Sequence, residues 1–126
     1  MRWLSGEEAR ALEGATVVFL GMAEEVAHFA VELIRPLEDG GESLTRFEEL
    51  RAHGAALPAA EAGMLALARG ILHWHAAHGF CGRCGAPTES REAGHLRVCT
   101  ACQAQHFPRT DPAVIMLVTH QERALL

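Results

Sequence analysis

The chain has 126 residues, of which 49% are apolar, and a formal net charge of −5 at pH 7. A chain of this size forms one or two small domains with a modest core, and it is short for an enzyme with a deep cleft. It opens with no basic segment followed by an apolar one, and no apolar run approaches the roughly 18 residues of a membrane span. We therefore expect a cytoplasmic protein with reduced thiols.

The charge is distributed unevenly along the chain. Residues 1 to 79 carry six arginines and twelve acidic residues, a net charge of −6, whereas residues 80 to 110 carry four arginines and two acidic residues, a net charge of +2. The overall negative charge and the absence of basic clusters argue against a cationic surface that binds nucleic-acid phosphates.

The first part of the chain predicts a small antiparallel sheet. Ser5 is expected to cap a short turn near the start, although a partly ordered terminus is the alternative. Residues 16 to 20 are β-branched and aromatic and end at Gly21, and residues 26 to 33 form a second run of the same kind. Both runs read as strands of a half-buried sheet.

Alternation within the second run predicts which side chains are buried. Phe29, Val31 and Leu33 alternate with more polar or smaller residues, so they are expected to face the core. His28 lies on the other face by this count and is expected to be solvated.

Two helices are predicted next, after a loop at residues 36 to 41. Thr45 and Glu48 form a capping box that begins a short helix ending near Gly54, with Phe47 and Leu50 as its buried face. The sequence further predicts a longer helix that begins at Pro58 and ends just before Gly79. Its apolar residues form one wide stripe that suits packing on a sheet; they are Met64, Leu67, Ile71, Trp74, Leu65, Ala68 and Leu72.

Two C-x-x-C pairs, Cys81/Cys84 and Cys99/Cys102, are separated by fourteen residues. Each pair belongs to a tight turn that directs both sulfurs to one point, and two such turns complete a tetrahedral Zn²⁺ site. Gly82 and Gly85 allow the first turn to pass close to the sulfurs. A redox dithiol explains one pair but not its duplicate, and disulfides require an oxidising compartment. Iron in the same four-thiolate cage is the main alternative to structural zinc.

The zinc ribbon is expected to contain a turn from Glu89 to Gly94, a strand from His95 to Cys99 and a return strand from Gln103 to Phe107. Four thiolates and Zn²⁺ leave a charge of −2, which Arg83 and Arg97 are expected to offset. Metal binding supplies most of the folding free energy of so small a module.

Three histidines at the end of the long helix, His73, His75 and His78, precede the first cysteine and raise the hypothesis of a second metal site. A four-cysteine zinc site is already closed, and the three histidines at the end of the long helix do not share one helical face. His78 suits the negative end of the helix dipole. His95 and His106 are expected at the surface.

Residues 113 to 118 are apolar on both faces, which is typical of a central strand covered on both sides. A polar turn at residues 120 to 122 then leads into a second apolar run. Such a hairpin has a long hydrophobic edge. We therefore expect either a second copy of the chain to cover it or the natural protein to continue beyond Leu126.

Together these elements predict an α+β fold, a small antiparallel sheet with packing helices followed by a four-cysteine zinc ribbon. The motifs FCGRCGAPT and RVCTACQAQHFPRTDPAVIMLV, preceded by LPAAEAGMLALARGILHWHAAHGF, closely resemble the NADH pyrophosphatases of the Nudix hydrolase superfamily. The resemblance covers about residues 16 to 126. It implies a degenerate Nudix-like N-terminal domain with its linking helix at residues 1–79, the zinc ribbon at 80–110 and the first strands of a Nudix catalytic domain at 111–126.

The resemblance implies a function for the parent enzyme. It would hydrolyse NADH or NAD⁺ to nicotinamide mononucleotide and AMP, remove NAD caps from RNA, use Mg²⁺ or Mn²⁺ for the chemistry and zinc for structure, and act as a homodimer. The glutamates that hold the catalytic metal ions in this family belong to an R-E-x-x-E-E pattern, which these 126 residues lack. We therefore expect a chain that stops before the Nudix box, has no catalytic residues and is inactive alone.

At the position of Phe107 the family places an aromatic residue that stacks on a base of the dinucleotide. A core position between ribbon and next domain is the alternative for this ring. Arg109 is expected to lie near the zinc cluster rather than at a phosphate. The family also has an acidic substrate contact on the ribbon hairpin, but Gly94 stands there, so this role does not carry over.

Two other classes of function remain open. A free-standing zinc-ribbon module would bind nucleic acid or protein, and salt-dependent RNA binding would distinguish it. A rubredoxin-like electron carrier would be coloured by its iron.

Overall fold

The computed structural model describes residues 3–10, 14–34 and 48–125. Antiparallel strands in this part of the chain form three separate sheets, β1–β2, β3–β4–β5 and β6–β7. In chain order the elements are α1 (Gly6–Arg10), β1 (Gly14–Ala23), β2 (Val26–Leu33), α2 (Leu50–His53), α3 (Ala59–Ala77), β3 (Thr88–Arg91), β4 (Leu96–Cys99), β5 (Gln105–His106), β6 (Thr119–His120) and β7 (Arg123–Ala124), with 3₁₀ turns at Gly54–Ala56 and Glu92–Gly94. The predicted α+β class is confirmed.

The cap predicted at Ser5 is present and begins α1. The Ser5 hydroxyl accepts a hydrogen bond from the Glu8 N–H at 3.2 Å, and the Glu8 carboxylate accepts one from the Ser5 N–H at 2.7 Å. This reciprocal pair is a capping box, which satisfies donors that the first helical turn leaves free.

The first hairpin is longer than the sequence predicts. Strand β1 continues past Gly21, where an irregularity in the register between Phe19 and Gly21 accommodates an extra residue. Glu24 and Glu25 both have positive φ, 49° and 65°, as a two-residue hairpin turn of the type that follows the strand twist requires. Gly21, with φ +134°, therefore lies inside the strand and does not end it.

The face that the hairpin buries is opposite to the predicted one. Val18 pairs with Ala30 and is fully buried, whereas Phe19 pairs with Phe29, which is 52% exposed. Directly paired residues share a face of the sheet. The face of Val18 packs on α3, so the prediction that Phe29 faces the core is wrong. Alternation separates the two faces of a strand, but the elements packed on the sheet decide which one is covered.

His28 is half-buried and not fully solvated. Its ring packs edge-on against Trp3 with centroids 4.9 Å apart, and its Nδ1 lies 3.0 Å from the Val26 carbonyl oxygen. These contacts tie the segment before α1 to the hairpin.

Helix α3 is the long helix that the sequence predicts, with Pro58 as its first flanking residue. Its carboxyl-terminal half carries the buried side chains Ile71, Trp74 and His75, while Leu67 is 43% exposed. The predicted stripe is therefore buried mainly near the ribbon. No helix in the described ranges is long and apolar enough to cross a membrane.

The helix before α3 is observed only in part. Helix α2 and its 3₁₀ extension end near the predicted position, and Leu50 is half-buried. The predicted loop at residues 36 to 41, Thr45 of the predicted capping box and Phe47 lie outside the described residues.

A small core joins the hairpin to α3. Val18, Ile71 and Trp74 form it, and Leu72 packs at its side. The 3₁₀ turn Glu92–Gly94 of the ribbon contacts β1 as well, so the ribbon covers part of this core. Ribbon and N-terminal hairpin therefore share one packed region.

The ribbon sheet has the predicted return strands with shifted bounds. The segment predicted as a turn from Glu89 to Gly94 begins as strand β3, and only its last three residues turn. Ala93 and Glu92 take positive φ there, 52° and 49°, and Gly94 reaches +96°.

Residues 107 to 118 have no regular secondary structure, so the predicted strand at 113 to 118 is absent from the structure. Ile115 is fully exposed, and Leu117 is 64% exposed. A central strand needs neighbours on both edges and both faces, and the described part of the chain provides none. The polar turn that follows is present between β6 and β7.

Candidate metal centre

The first C-x-x-C turn follows α3 directly. The Cys81 N–H donates to the Ala86 carbonyl and the Gly85 N–H to the Cys81 carbonyl, both at 2.8 Å. Gly85 has φ +79°, a conformation that costs other residues free energy. Gly82 has no such φ, so only Gly85 plays the conformational role predicted for both. The Arg83 N–H lies 3.4 Å from the Cys81 sulfur.

The second turn repeats this arrangement. The Cys99 N–H donates to the Ala104 carbonyl at 2.9 Å, and the residue with positive φ is now Gln103, at 58°. Its side-chain amide donates to the Cys99 carbonyl at 3.1 Å, which helps to hold a conformation that glycine adopts more easily. The N–H groups of Ala101 and Cys102 point at the Cys99 sulfur, each at 3.4 Å.

The two turns bring the four cysteine sulfurs together. All four lie within 4.8 Å of one another, with 3.7 Å between Cys81 and Cys102 and 3.4 Å between Cys84 and Cys99. Tetrahedral Zn–S bonds of about 2.3 Å place sulfurs about 3.8 Å apart. Cys81 and Cys99 are buried, whereas Cys84 and Cys102 are exposed. The donor set fits a closed structural zinc site.

The thiols have divergent acidities because they lie so close together. The backbone N–H of Cys102 is the main cause that lowers the pKa of Cys99 to about 6. The backbone N–H of Ala86 lowers the pKa of Cys84, but the thiols of Cys99 and Cys102 outweigh it and raise that pKa to about 11. Four thiolates at this distance repel one another, so a divalent cation is needed to ionise them together.

Two ribbon histidines that were expected at the surface have structural partners. His106 is half-buried, and its Nε2 lies 3.3 Å from the Cys81 sulfur. His95 is half-buried, and its Nε2 donates to the Phe19 carbonyl at 2.7 Å. Sequence reasoning missed both contacts because their partners are 25 and 76 residues away.

The structure gives two of the arginines side-chain partners, and the charge offset expected of Arg83 and Arg97 stays a prediction. Arg97 donates to Thr88 Oγ1 at 2.7 Å and to the Thr88 carbonyl at 2.8 Å. Arg109 pairs with Asp111 at 3.0 Å and is exposed. The side chain of Arg83 is exposed beside the first turn. Among the described residues, backbone N–H groups and the His106 ring approach the sulfurs.

The helix histidines form no metal site with one another among the described residues, where the four cysteines are the only group placed to hold a metal ion. His73 is exposed, and His78 Nδ1 lies 2.9 Å from the Trp74 carbonyl at the helix end. His75 is buried, with 3% exposure.

Phe107 follows β5 and is 60% exposed. The preceding residue, His106, contacts Cys81, so the backbone before Phe107 is attached to the cysteine cluster. Phe107 is thus largely exposed on the surface of the described residues.

Two family models match this chain. The NADH pyrophosphatase-like rudimentary NUDIX domain matches residues 2–74, and the NADH pyrophosphatase zinc ribbon domain matches residues 76–107. The second match covers the four-cysteine cluster, which supports zinc as its metal.

Three relatives are similar over half of the chain or more. Nudix hydrolase 19, chloroplastic, of Arabidopsis thaliana is 38% identical over 88% of this chain and 28% of its own length. NAD(P)H pyrophosphatase NUDT13, mitochondrial, of Homo sapiens is 33% identical over 96% of this chain and 37% of its own length. NAD-capped RNA hydrolase NudC of Stutzerimonas stutzeri is 41% identical over 50% of this chain and 23% of its own length. The chain thus spans well under half the length of these relatives, and it belongs to the NADH pyrophosphatase family of Nudix hydrolases.

Proposed function

We propose that these 126 residues are the N-terminal and zinc-ribbon portion of an enzyme that hydrolyses NAD(H) to nicotinamide mononucleotide and AMP and removes NAD caps from RNA. Family membership supports the class of reaction, and the names of the relatives include both NAD(P)H pyrophosphatases and NAD-capped RNA hydrolases. The residues contribute structure and one wall of the substrate site.

The observation that carries this proposal is the position of Phe107. Its ring is 60% exposed directly after a segment that the cysteine cluster anchors through His106 and Cys81. An aromatic ring held by a rigid base stacks on a nucleobase at little entropic cost. Stacking of this kind contributes about 1–3 kcal/mol per base in single-strand binders. Zinc therefore contributes to substrate binding by holding the segment before Phe107 in place.

The hydrolytic chemistry is assigned to residues outside these 126. Divalent Mg²⁺ or Mn²⁺ would neutralise the pyrophosphate and activate water, and glutamates would hold these ions. The R-E-x-x-E-E pattern is absent from the sequence, so no catalytic residue is proposed here.

Activity of the purified chain tests that assignment. We expect no conversion of NADH to the mononucleotide and AMP with Mg²⁺ or Mn²⁺, at a concentration where an intact relative converts it completely. Turnover that survives removal of contaminating hydrolases would contradict the proposal.

Base binding tests the role of Phe107 separately. NAD⁺ or AMP titrated into the labelled chain should shift NMR resonances around Phe107, and Phe107→Ala should weaken that binding about 5- to 150-fold. Phe107→Leu retains an apolar side chain without the π face and is the matched control, since it should bind nearly as weakly as the alanine variant. Equal binding by all three proteins, with a lower melting temperature for Phe107→Ala, would instead support a purely structural ring.

The assembly and location of the protein are further parts of this proposal. We propose a cytoplasmic homodimer, in which a second copy covers part of the apolar segment at residues 113 to 118. Analytical ultracentrifugation checks the dimer. Uncapped RNA is the control for nucleic-acid binding, because a free-standing RNA-binding ribbon would retain it with a strong salt dependence.

A further inference from the structure

The zinc ribbon contacts helix α3 through the buried imidazole of His75. His75, on α3, has its Nε2 atom 2.8 Å from the Gly94 carbonyl oxygen and its Nδ1 atom 2.8 Å from a terminal nitrogen of Arg97. Both partners belong to the ribbon, at 19 and 22 residues from His75. One side chain therefore connects the helix to two successive parts of the ribbon hairpin.

These two contacts fix the protonation state of His75. Guanidinium groups only donate hydrogen bonds, so the Nδ1 atom facing Arg97 must accept one. Carbonyl oxygens only accept, so the Nε2 atom facing Gly94 must donate. Only the neutral imidazole with its proton on Nε2 satisfies both partners. A second proton on Nδ1 would face the positive charge of Arg97.

Arg97 is held in place and does not withdraw easily. Its Nε and one terminal nitrogen donate to the hydroxyl and carbonyl of Thr88, and the Thr88 hydroxyl donates to the His78 carbonyl at 2.6 Å. Thr88 is itself buried, with 7% exposure. The guanidinium is thus held next to His75 while the ribbon is docked on α3.

The charges around His75 come from three elements. Burial is the main cause that lowers the pKa of His75 below 6.5; the Gly94 carbonyl raises it, Arg97 lowers it, Glu32 on β2 raises it and His95 lowers it. The Glu32 carboxylate is engaged by the Thr16 hydroxyl at 2.8 Å. The balance therefore favours the neutral ring in the folded protein.

We propose that His75, Gly94 and Arg97 form an acid-sensitive latch, which holds the ribbon against α3 and Val18 while His75 is neutral and releases it when His75 is protonated. The contact that the latch secures is close, because a Cβ atom added to Gly94 would stand 2.8 Å from Val18 Cγ2 and 2.9 Å from Val18 Cγ1. Release separates this pair while each cysteine turn keeps its own backbone hydrogen bonds.

The direction of the pH effect follows from the depressed pKa. In the unfolded or undocked chain His75 takes up a proton near pH 6.5, whereas in the docked state it takes it up only at lower pH. The contribution of the latch is complete above pH 6.5, decreases as the pH falls below that value, and is lost below the docked pKa.

Nitrogen-detected NMR of His75 in the zinc-loaded chain tests the latch without any substitution. We expect the Nε2-protonated neutral form at pH 7.5, a pKa below 6.5, and loss of the Val18 methyl to Gly94 Hα cross-peak as His75 is protonated. A proton on Nδ1 at pH 7.5, a pKa at or above 6.5, or a cross-peak that survives protonation would each overturn the proposal.

Trp74 reports the same event optically, because its ring lies 4.8 Å from that of His75. In a Trp3→Phe background, its emission should change reversibly below pH 6.5 while zinc remains bound. His75→Gln retains a donor and an acceptor but does not titrate, so this change should disappear. His73→Gln is the control at an exposed histidine on the same helix, and this variant should retain the emission change. His78→Gln removes the second imidazole near Trp74, and this variant should retain the change as well. A change that persists in His75→Gln, that follows His78, or that appears only as zinc is lost would contradict the latch.

Discussion

Gly94 lies so close to Val18 that the ribbon leaves no room for a side chain at residue 94. A Cβ atom there would stand 2.8 Å from Val18 Cγ2 and 3.0 Å from the Val18 Cα. Val18 is fully buried, so the side chain has little freedom to yield. The zinc ribbon therefore packs through Gly94 on the core formed by Val18, Ile71 and Trp74.

Gly94→Ala should lower the free energy of unfolding by about 1–3 kcal/mol, because the added methyl overpacks Val18 and the φ of +96° disfavours alanine. Urea denaturation of the zinc-loaded chain measures this change. Gly79→Ala is the matched control, since nothing lies within 4 Å of a Cβ there. Equal stability of the two variants would show that the ribbon does not pack on Val18 in solution.

Cys99→Ser should abolish stoichiometric zinc binding and unfold the ribbon, because structural zinc in small modules contributes roughly 10–16 kcal/mol of apparent binding free energy. Metal analysis and the amide spectrum of residues 80 to 107 are the readouts. Ala101→Ser lies in the same turn on an exposed residue and should keep both its zinc and its fold. A Cys99→Ser protein with full zinc content and an unchanged melting curve would refute the structural role.

Removal of zinc by a chelator should change the environment of Trp74, which is 7% exposed and is not a ribbon residue. Loss of the ribbon uncovers the core that Val18 and Trp74 share, so the emission of Trp74 should shift to longer wavelength in a Trp3→Phe background. Addition of zinc should reverse the shift. Unfolding of the ribbon with no change in Trp74 emission would mean that the ribbon folds independently of the first hairpin and α3.

Ile71→Ala should cost about 2–5 kcal/mol of unfolding free energy, as expected for truncation of a buried isoleucine. Leu67→Ala, one helical turn earlier and 43% exposed, should cost less than about 1 kcal/mol. Thermal unfolding of the two zinc-loaded variants compares them directly. Similar costs would show that the stripe of α3 is buried along its whole length.

Much of the site was predictable because its determinants are local. Two C-x-x-C pairs specify the donors, the spacing and the turn geometry, and the turns form through hydrogen bonds between residues close in sequence. The cap at Ser5 and the bounds of α3 were predictable for the same reason. The misjudged histidines are those whose partners are distant, His95 and His106, and the buried contact of His75 with Gly94 was not predicted at all.

By itself the sequence determined the four-thiolate metal site, the order of the elements and the family. Tertiary structure decided which face of the first hairpin is buried and which histidines contact residues distant in sequence. The alternation around Phe29 is compatible with either face, and packing of Val18 against Ile71, Trp74 and Gly94 selects one of them. Tertiary structure also decided the state of residues 113 to 118. An apolar run becomes a central strand only where other strands and layers surround it.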